Sequence, residues 1–141
     1  MLKETTYKDC TIKKALEYMG QEDNKMYRWI LKDIFSDSEN YNGNKKERLL
    51  ARCEDVQHGC STGIVSSLIY YRDTTAFFKK FKKEIIAMIN DLIQNGYIER
   101  LDQLNGWDNE DPFCEDIYNR NLLAWLAYEE VNNQLYYYLE S

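Results

Sequence analysis

The only histidine, His58, stands two residues before Cys60 in the run Gln-His-Gly-Cys-Ser, a pairing from which an imidazole-activated thiolate could be built. The spacing works against it. Residues two apart on a helix face different directions, and a nucleophile and its base ordinarily come from separate elements that meet in space. A helix-ending His-Gly followed by a small buried thiol accounts for the same residues. Cys53, His58 and Cys60, joined by Cys10 or Cys114, are acceptable zinc ligands, but they make one irregular cluster where structural zinc sites show two close pairs. The acidic run Asp108-Asn109-Glu110-Asp111 is interrupted by Pro112 and lacks the central Gly and closing bidentate Glu of a calcium loop. Gly59 and Gly63 are followed by no lysine that would meet a phosphate. No metal and no cofactor is expected, and the reading leans away from an enzyme.

Charge is divided unevenly along the chain. Residues 1–100 hold 17 Lys+Arg and 15 Asp+Glu, net +2, whereas residues 101–141 hold one Arg against nine acids, net −8. Lys79, Lys80, Lys82 and Lys83 form a basic cluster that could neutralise phosphates, but with Glu84 beside them and a chain charge of −6 they read as the solvated side of a helix. Direct nucleic-acid binding is therefore disfavoured.

The strongest functional candidate is the acidic-aromatic segment that begins at Asn105. Between Leu101 and Asn119 lie six acids and no base. Glu115 and Asp116 suit the positive start of the last helix, and Trp107 and Phe113 are placed to pin the loop to the core. Asp108, Glu110 and Asp111 are left as charges on a loop, where they would steer a basic protein surface. The partner-binding set is thus Trp107, Asp108, Glu110, Asp111, Phe113, Glu115 and Asp116, with exposed members of Tyr136-Tyr137-Tyr138 as further apolar anchors.

These residues need a scaffold, and the chain has the material for one. A length of 141 residues fits a single domain, 1–141, and 44% hydrophobic with 30% charged residues argues for a soluble folded protein. No apolar run approaches the ~18–20 residues of a membrane-spanning helix, and the start Met-Leu-Lys-Glu-Thr-Thr-Tyr lacks a signal-peptide stretch, so a cytoplasmic protein of a bacterial host is expected. The four cysteines contain no Cys-x-x-Cys pair and are read as thiols.

One Pro and six Gly, with apolar residues three and four apart, predict an all-α fold: a compact bundle of six to seven helices with an acidic loop before a long C-terminal helix. The first helix runs from about Thr11 to Met19 and stops at Gly20; the second starts from an Asp23 or Asn24 cap. Ser36 to Asn44 reads as a polar connection and the best candidate for a mobile loop. Asn44 and Glu47 resemble a capping box opening a helix towards Gly59. A short, nearly uncharged helix follows from Ser61. Asp73 then caps a helix whose stripe is Phe77, Phe78, Phe81, Ile85, Met88, Ile89 and Leu92, ending at Asn95-Gly96. A turn of helix around Ile98–Leu104 leads to the acidic loop. The last helix, about Asp116 to Leu139, turns Ile117, Leu122, Trp125, Leu126, Val131 and Leu135 inward.

Two stretches, Asp55-Val-Gln-His-Gly-Cys-Ser-Thr-Gly-Ile-Val-Ser-Ser-Leu-Ile-Tyr-Tyr-Arg-Asp-Thr and Asn119-Arg-Asn-Leu-Leu-Ala-Trp-Leu-Ala-Tyr-Glu-Glu, resemble a small uncharacterised domain family carried by bacteria, phages and mobile elements. The resemblance implies a helical domain with Gly59, Cys60, Gly63, Tyr70, Tyr71, Asp73, Asn121 and Trp125 as shared signature residues, and no known activity; residues 1–50 show no counterpart. In size and charge the chain also looks like anti-CRISPR and antirestriction inhibitors. The functional expectation is a non-catalytic inhibitor from a phage or mobile element, binding a basic, nucleic-acid-handling host protein such as a CRISPR nuclease. The alternatives are a small enzyme using Cys60, and a self-association module forming a homodimer through Leu135-Tyr136-Tyr137-Tyr138-Leu139.

Overall fold

The computed structural model describes residues 10–58, 77, 80–96 and 117–141, the side chains of 117–122 and 125 excepted. Among the described residues there are five helices and no strand: α1 (Ile12–Met19), α2 (Lys25–Ser38), α3 (Lys45–Gln57), α4 (Lys82–Gln94) and α5 (Ile117–Glu140). The all-α expectation holds for them. The short helices expected from Ser61 and around Ile98–Leu104, and the acidic loop, lie outside the described residues. The chain divides into two compact units, one formed by Met1–Ile64 with Glu129–Ser141, the other by Val65–Tyr128.

The helix ends of the first unit follow from local chemistry. Thr11 caps α1 by accepting the Lys14 amide at 3.1 Å, and Gly20 closes it with φ of 68°. That left-handed turn favours a residue without Cβ. Asn24, the second of the two expected caps, opens α2 by accepting the Tyr27 amide at 3.1 Å. At α3 the capping box is complete: Asn44 Oδ1 accepts the Glu47 amide at 2.9 Å, and Glu47 Oε1 accepts the Asn44 amide at 2.8 Å. Gly43 precedes it with φ of 108°, and a Cβ there would meet Glu47 Oε1 at 2.7 Å, so the box and the glycine require each other.

One boundary differs from expectation. Ser36, Asp37 and Ser38 continue α2 instead of starting a loop, and Asp37 and Ser38 are buried. The cause is Arg52 on α3, fully buried and ion-paired through Nε with Asp37 Oδ2. A carboxylate at the negative end of a helix is locally unfavourable, and the guanidinium from the next helix supplies the counter-charge that stabilises it. The rest of the connection is built of turns: the Asn40 and Tyr41 amides donate back to Asp37 and Ser38 carbonyls at 3.0 Å each, and the Tyr41 hydroxyl donates to Asp55 at 2.6 Å.

Within this unit α2 packs against both α1 and α3. Its inward row, Met26, Ile30, Leu31 and Ile34, meets Ala15 and Leu16 of α1 and Leu49, Cys53 and Val56 of α3 in a core where every side chain is at most 1% exposed. The C-terminal half of α5 completes it with Val131, Leu135 and Leu139, the inward positions predicted for Val131 and Leu135. Three polar links register α5 on its neighbours: Asn132 Nδ2 donates to the Cys53 carbonyl at 3.1 Å, Gln57 Nε2 to Asn133 Oδ1 at 3.3 Å, and Gln134 Nε2 to the Tyr27 hydroxyl at 2.9 Å.

In the second unit α4 carries the predicted stripe: Ile85, Met88, Ile89 and Leu92 are buried, as are Phe77 and Phe81 before it. The helix does not run unbroken from Phe77, because Phe81 has φ of −117° and ψ of 26° and serves as the N-cap of α4. The i to i−4 bonds at Phe81 and Ile85, 3.0 and 2.9 Å, nevertheless continue across it. No Gly or Pro marks the spot in the sequence. Lys80, Lys82 and Lys83 are exposed, as a solvated face requires; Lys79 lies outside the described residues. On α5, Leu123, Ala124, Ala127 and Tyr128 are buried beyond the predicted row, while Leu126 is half-exposed.

Candidate protein-binding surface

The sequence-derived binding set, Trp107, Asp108, Glu110, Asp111, Phe113, Glu115 and Asp116, lies outside the described residues, as does Cys60. His58 is exposed at the end of α3, where its amide donates to the Glu54 carbonyl at 3.0 Å. Cys53, the nearest described cysteine, is fully buried, and burial pushes its thiol up to about 12 in spite of the neighbouring Arg52. It is protonated at neutral pH and shielded from electrophiles, so it is not a thiolate nucleophile. Among the described residues no group of three or more His, Cys, Asp or Glu is placed to hold a metal ion.

The described part of the acidic C-terminal segment is α5, and its last turns have two distinct sides. Leu135 and Leu139, one helical turn apart, point into the core. This removes both leucines from the self-association seam considered above. The three tyrosines between them fan around the remaining surface: Tyr138 packs on Tyr18 of α1, ring centroids 5.0 Å apart and tilted by 51°, and Tyr136 meets Tyr137 edge-on at 6.0 Å. Tyr137 is 64% exposed and Tyr18 is 56% exposed, the two exposed large hydrophobic residues among those described. A ring left in water by a helix that buries its neighbours is available for contact.

The C-terminal part of α5 is itself acidic. Residues 121–141 contain Glu129, Glu130 and Glu140 and no Lys or Arg. The Glu140 carboxylate raises the Tyr136 phenol above its ordinary value, with desolvation and Glu54 acting in the same direction. Glu140 is itself exposed and lies three residues after Tyr137, on the same side of the helix. Tyr18 was not among the residues singled out from the sequence. The available signal was an aromatic on the polar side of a helix whose apolar row is Ile12, Ala15, Leu16 and Met19.

The polar connection between α2 and α3 holds a second shifted tyrosine. Burial first, then the hydrogen bond to Asp55 and that carboxylate's charge, pushes the Tyr41 hydroxyl from 10.0 to about 12. A folded pKa above the unfolded one means that the stabilisation is full below pH 10 and is lost as pH rises towards 12. Denaturant melts across that interval should therefore show a steeper loss of stability for the wild type than for Tyr41→Phe.

No curated protein and no solved structure matches the chain. A family model, described as a domain of unknown function, matches residues 9–141. The match takes in both stretches that carried the resemblance and also residues 9–50, where no counterpart was expected. With almost the whole length matched, the chain belongs to the uncharacterised domain family DUF7222.

Proposed function

We propose that this protein is a non-catalytic inhibitor from a phage or mobile element, which binds a basic, nucleic-acid-handling host protein such as a CRISPR nuclease through its acidic-aromatic C-terminal surface. The observation that carries this reading is the outer side of α5, where exposed Tyr137 and exposed Glu140 stand three residues apart on a helix end whose own sequence holds no Lys or Arg. Trp107, Asp108, Glu110, Asp111, Phe113, Glu115 and Asp116 extend the same chemistry along the sequence. Negative charge accelerates encounter with a basic surface, and aromatic anchors slow dissociation once water is expelled around them.

The test is a pull-down from host cells with the tagged protein, run at low and high salt, with Asp108→Lys/Glu110→Lys/Asp111→Lys beside the wild type. A basic nucleic-acid-handling protein should be retained at low salt, released as salt screens the charges, and lost with the triple variant at an unchanged Tm. Retention of the same protein by the triple variant at equal strength would remove the loop from the interface. Recovery of no basic protein at either salt would refute the reading.

A further inference from the structure

We propose that Asn42-Gly43, in the connection between α2 and α3, is a site of spontaneous deamidation and isomerisation, and that its isoaspartyl product opens the capping box of α3. The reaction needs a backbone amide free to attack, a side-chain amide free to be attacked, and access for water. Asn42 and Gly43 are both exposed. Among the described residues nothing accepts a hydrogen bond from the Gly43 amide, and the Asn42 side chain has no partner. Glycine adds no Cβ to obstruct the approach of its nitrogen. The positions on either side are fixed: the Tyr41 amide donates to the Ser38 carbonyl at 3.0 Å, and Arg48 Nη1 donates to the Gly43 carbonyl at 2.6 Å.

Asn95-Gly96 is the same dipeptide in the opposite condition. Its Gly96 amide donates to the Ile93 carbonyl at 3.1 Å and Asn95 Nδ2 donates to the Asp91 carbonyl at 2.8 Å, so both reacting groups are engaged. Asn105-Gly106 lies outside the described residues.

At Asn42 the Gly43 nitrogen bonds to Cγ, the Cγ–Nδ2 bond breaks, and ammonia leaves with the proton of the Gly43 amide. Water then opens the succinimide. Cleavage between the nitrogen and Cγ gives aspartate, and cleavage between the nitrogen and the backbone carbonyl carbon of residue 42 gives isoaspartate, whose main chain is longer by one methylene. Gly43 lies so close to Glu47 that a Cβ would meet Oε1 at 2.7 Å, so the added length is taken up at the box, where Asn44 and Glu47 bond each other at 2.8 and 2.9 Å.

The test is incubation of the folded full-length protein at mildly alkaline pH, followed by peptide mapping with mass spectrometry and labelling with a protein-isoaspartate methyltransferase. Asn42 should convert about tenfold faster than Asn95 or better, because Asn95 must first open two hydrogen bonds; in denaturant the two rates should be similar. Asn42→Gln, which does not close the succinimide ring, should abolish conversion at this position with an unchanged Tm. Equal rates at Asn42 and Asn95 in the folded protein, or conversion of Asn42 only after unfolding, would overturn the site. The isoaspartyl fraction should melt below Asn42→Asp, which carries the same carboxylate without the added methylene. Equal melting of the two would overturn the effect on the capping box.

Discussion

Replacing Asp37 by Ala should lower the stability of the protein by about 3–5 kcal/mol, which for a chain of this length corresponds to a fall in Tm of about 10–17 °C. The size of the effect comes from Arg52. Its side chain is fully buried, and the Asp37 carboxylate, only 9% exposed, is its ion-pair partner across the α2–α3 junction. Removing the carboxylate leaves a guanidinium in the interior without that counter-charge, and desolvation of a buried cation is among the most costly single defects. Asn40 would also lose the acceptor of its Nδ2, now 3.2 Å from Asp37 Oδ1. The double variant Asp37→Leu/Arg52→Met should recover a large part of the loss, because a pair of apolar side chains has no charge to desolvate. Chemical denaturation of the four members of the cycle checks both statements. A single-variant loss under about 1 kcal/mol would mean that the pair carries no more than an exposed surface bridge does.

Leu135→Ala should cost about 2–5 kcal/mol, whereas Tyr137→Ala, two residues along the same helix, should change stability by less than about 0.5 kcal/mol. Leu135 is fully buried in the core of the first unit, and truncation to Ala leaves a cavity that α2 and α3 fill only in part. Tyr137 is 64% exposed and contributes little to that core. The pair of substitutions therefore separates the two sides of α5: one should unfold the protein at lower temperature with its recognition chemistry unchanged, the other should reduce partner affinity in a protein that melts normally. Thermal melts and binding titrations on the same two preparations provide the comparison.

How much of this was legible in the chain depended on whether the cause was local. The ends of α1 and α3 were readable because Thr11, Gly20, Asn44 and Glu47 act within four residues of themselves. The stripe of α4 was readable because its period is that of the helix. The end of α2 was not: Ser-Asp-Ser favours a turn by its own preferences, and the residue that keeps it helical, Arg52, is fifteen positions away on another helix. The break at Phe81 has no signal at all in residue type. Of the candidate surface, the acidic and aromatic character of α5 could be read directly, but the division of Leu135-Tyr136-Tyr137-Tyr138-Leu139 into buried leucines, half-buried Tyr136 and Tyr138 and exposed Tyr137 required the packing of α5 on α1 and α3.

The hydrogen bond from Gln134 to the Tyr27 hydroxyl joins positions 107 apart in the chain, and the one from Asn132 to the Cys53 carbonyl joins positions 79 apart. The first unit is thus closed by the final turns of α5 and not by residues near its own three helices. On a ribosome, α1, α2 and α3 emerge long before the side chains that cover them, so Leu49, Cys53 and Val56 have no α5 against them until residues 129–140 have been made. Such long-range closure slows folding and lengthens the time for which apolar surface is open to association. The birth of this protein therefore includes an interval in which its first helices, already synthesised, depend on a chaperone or on speed.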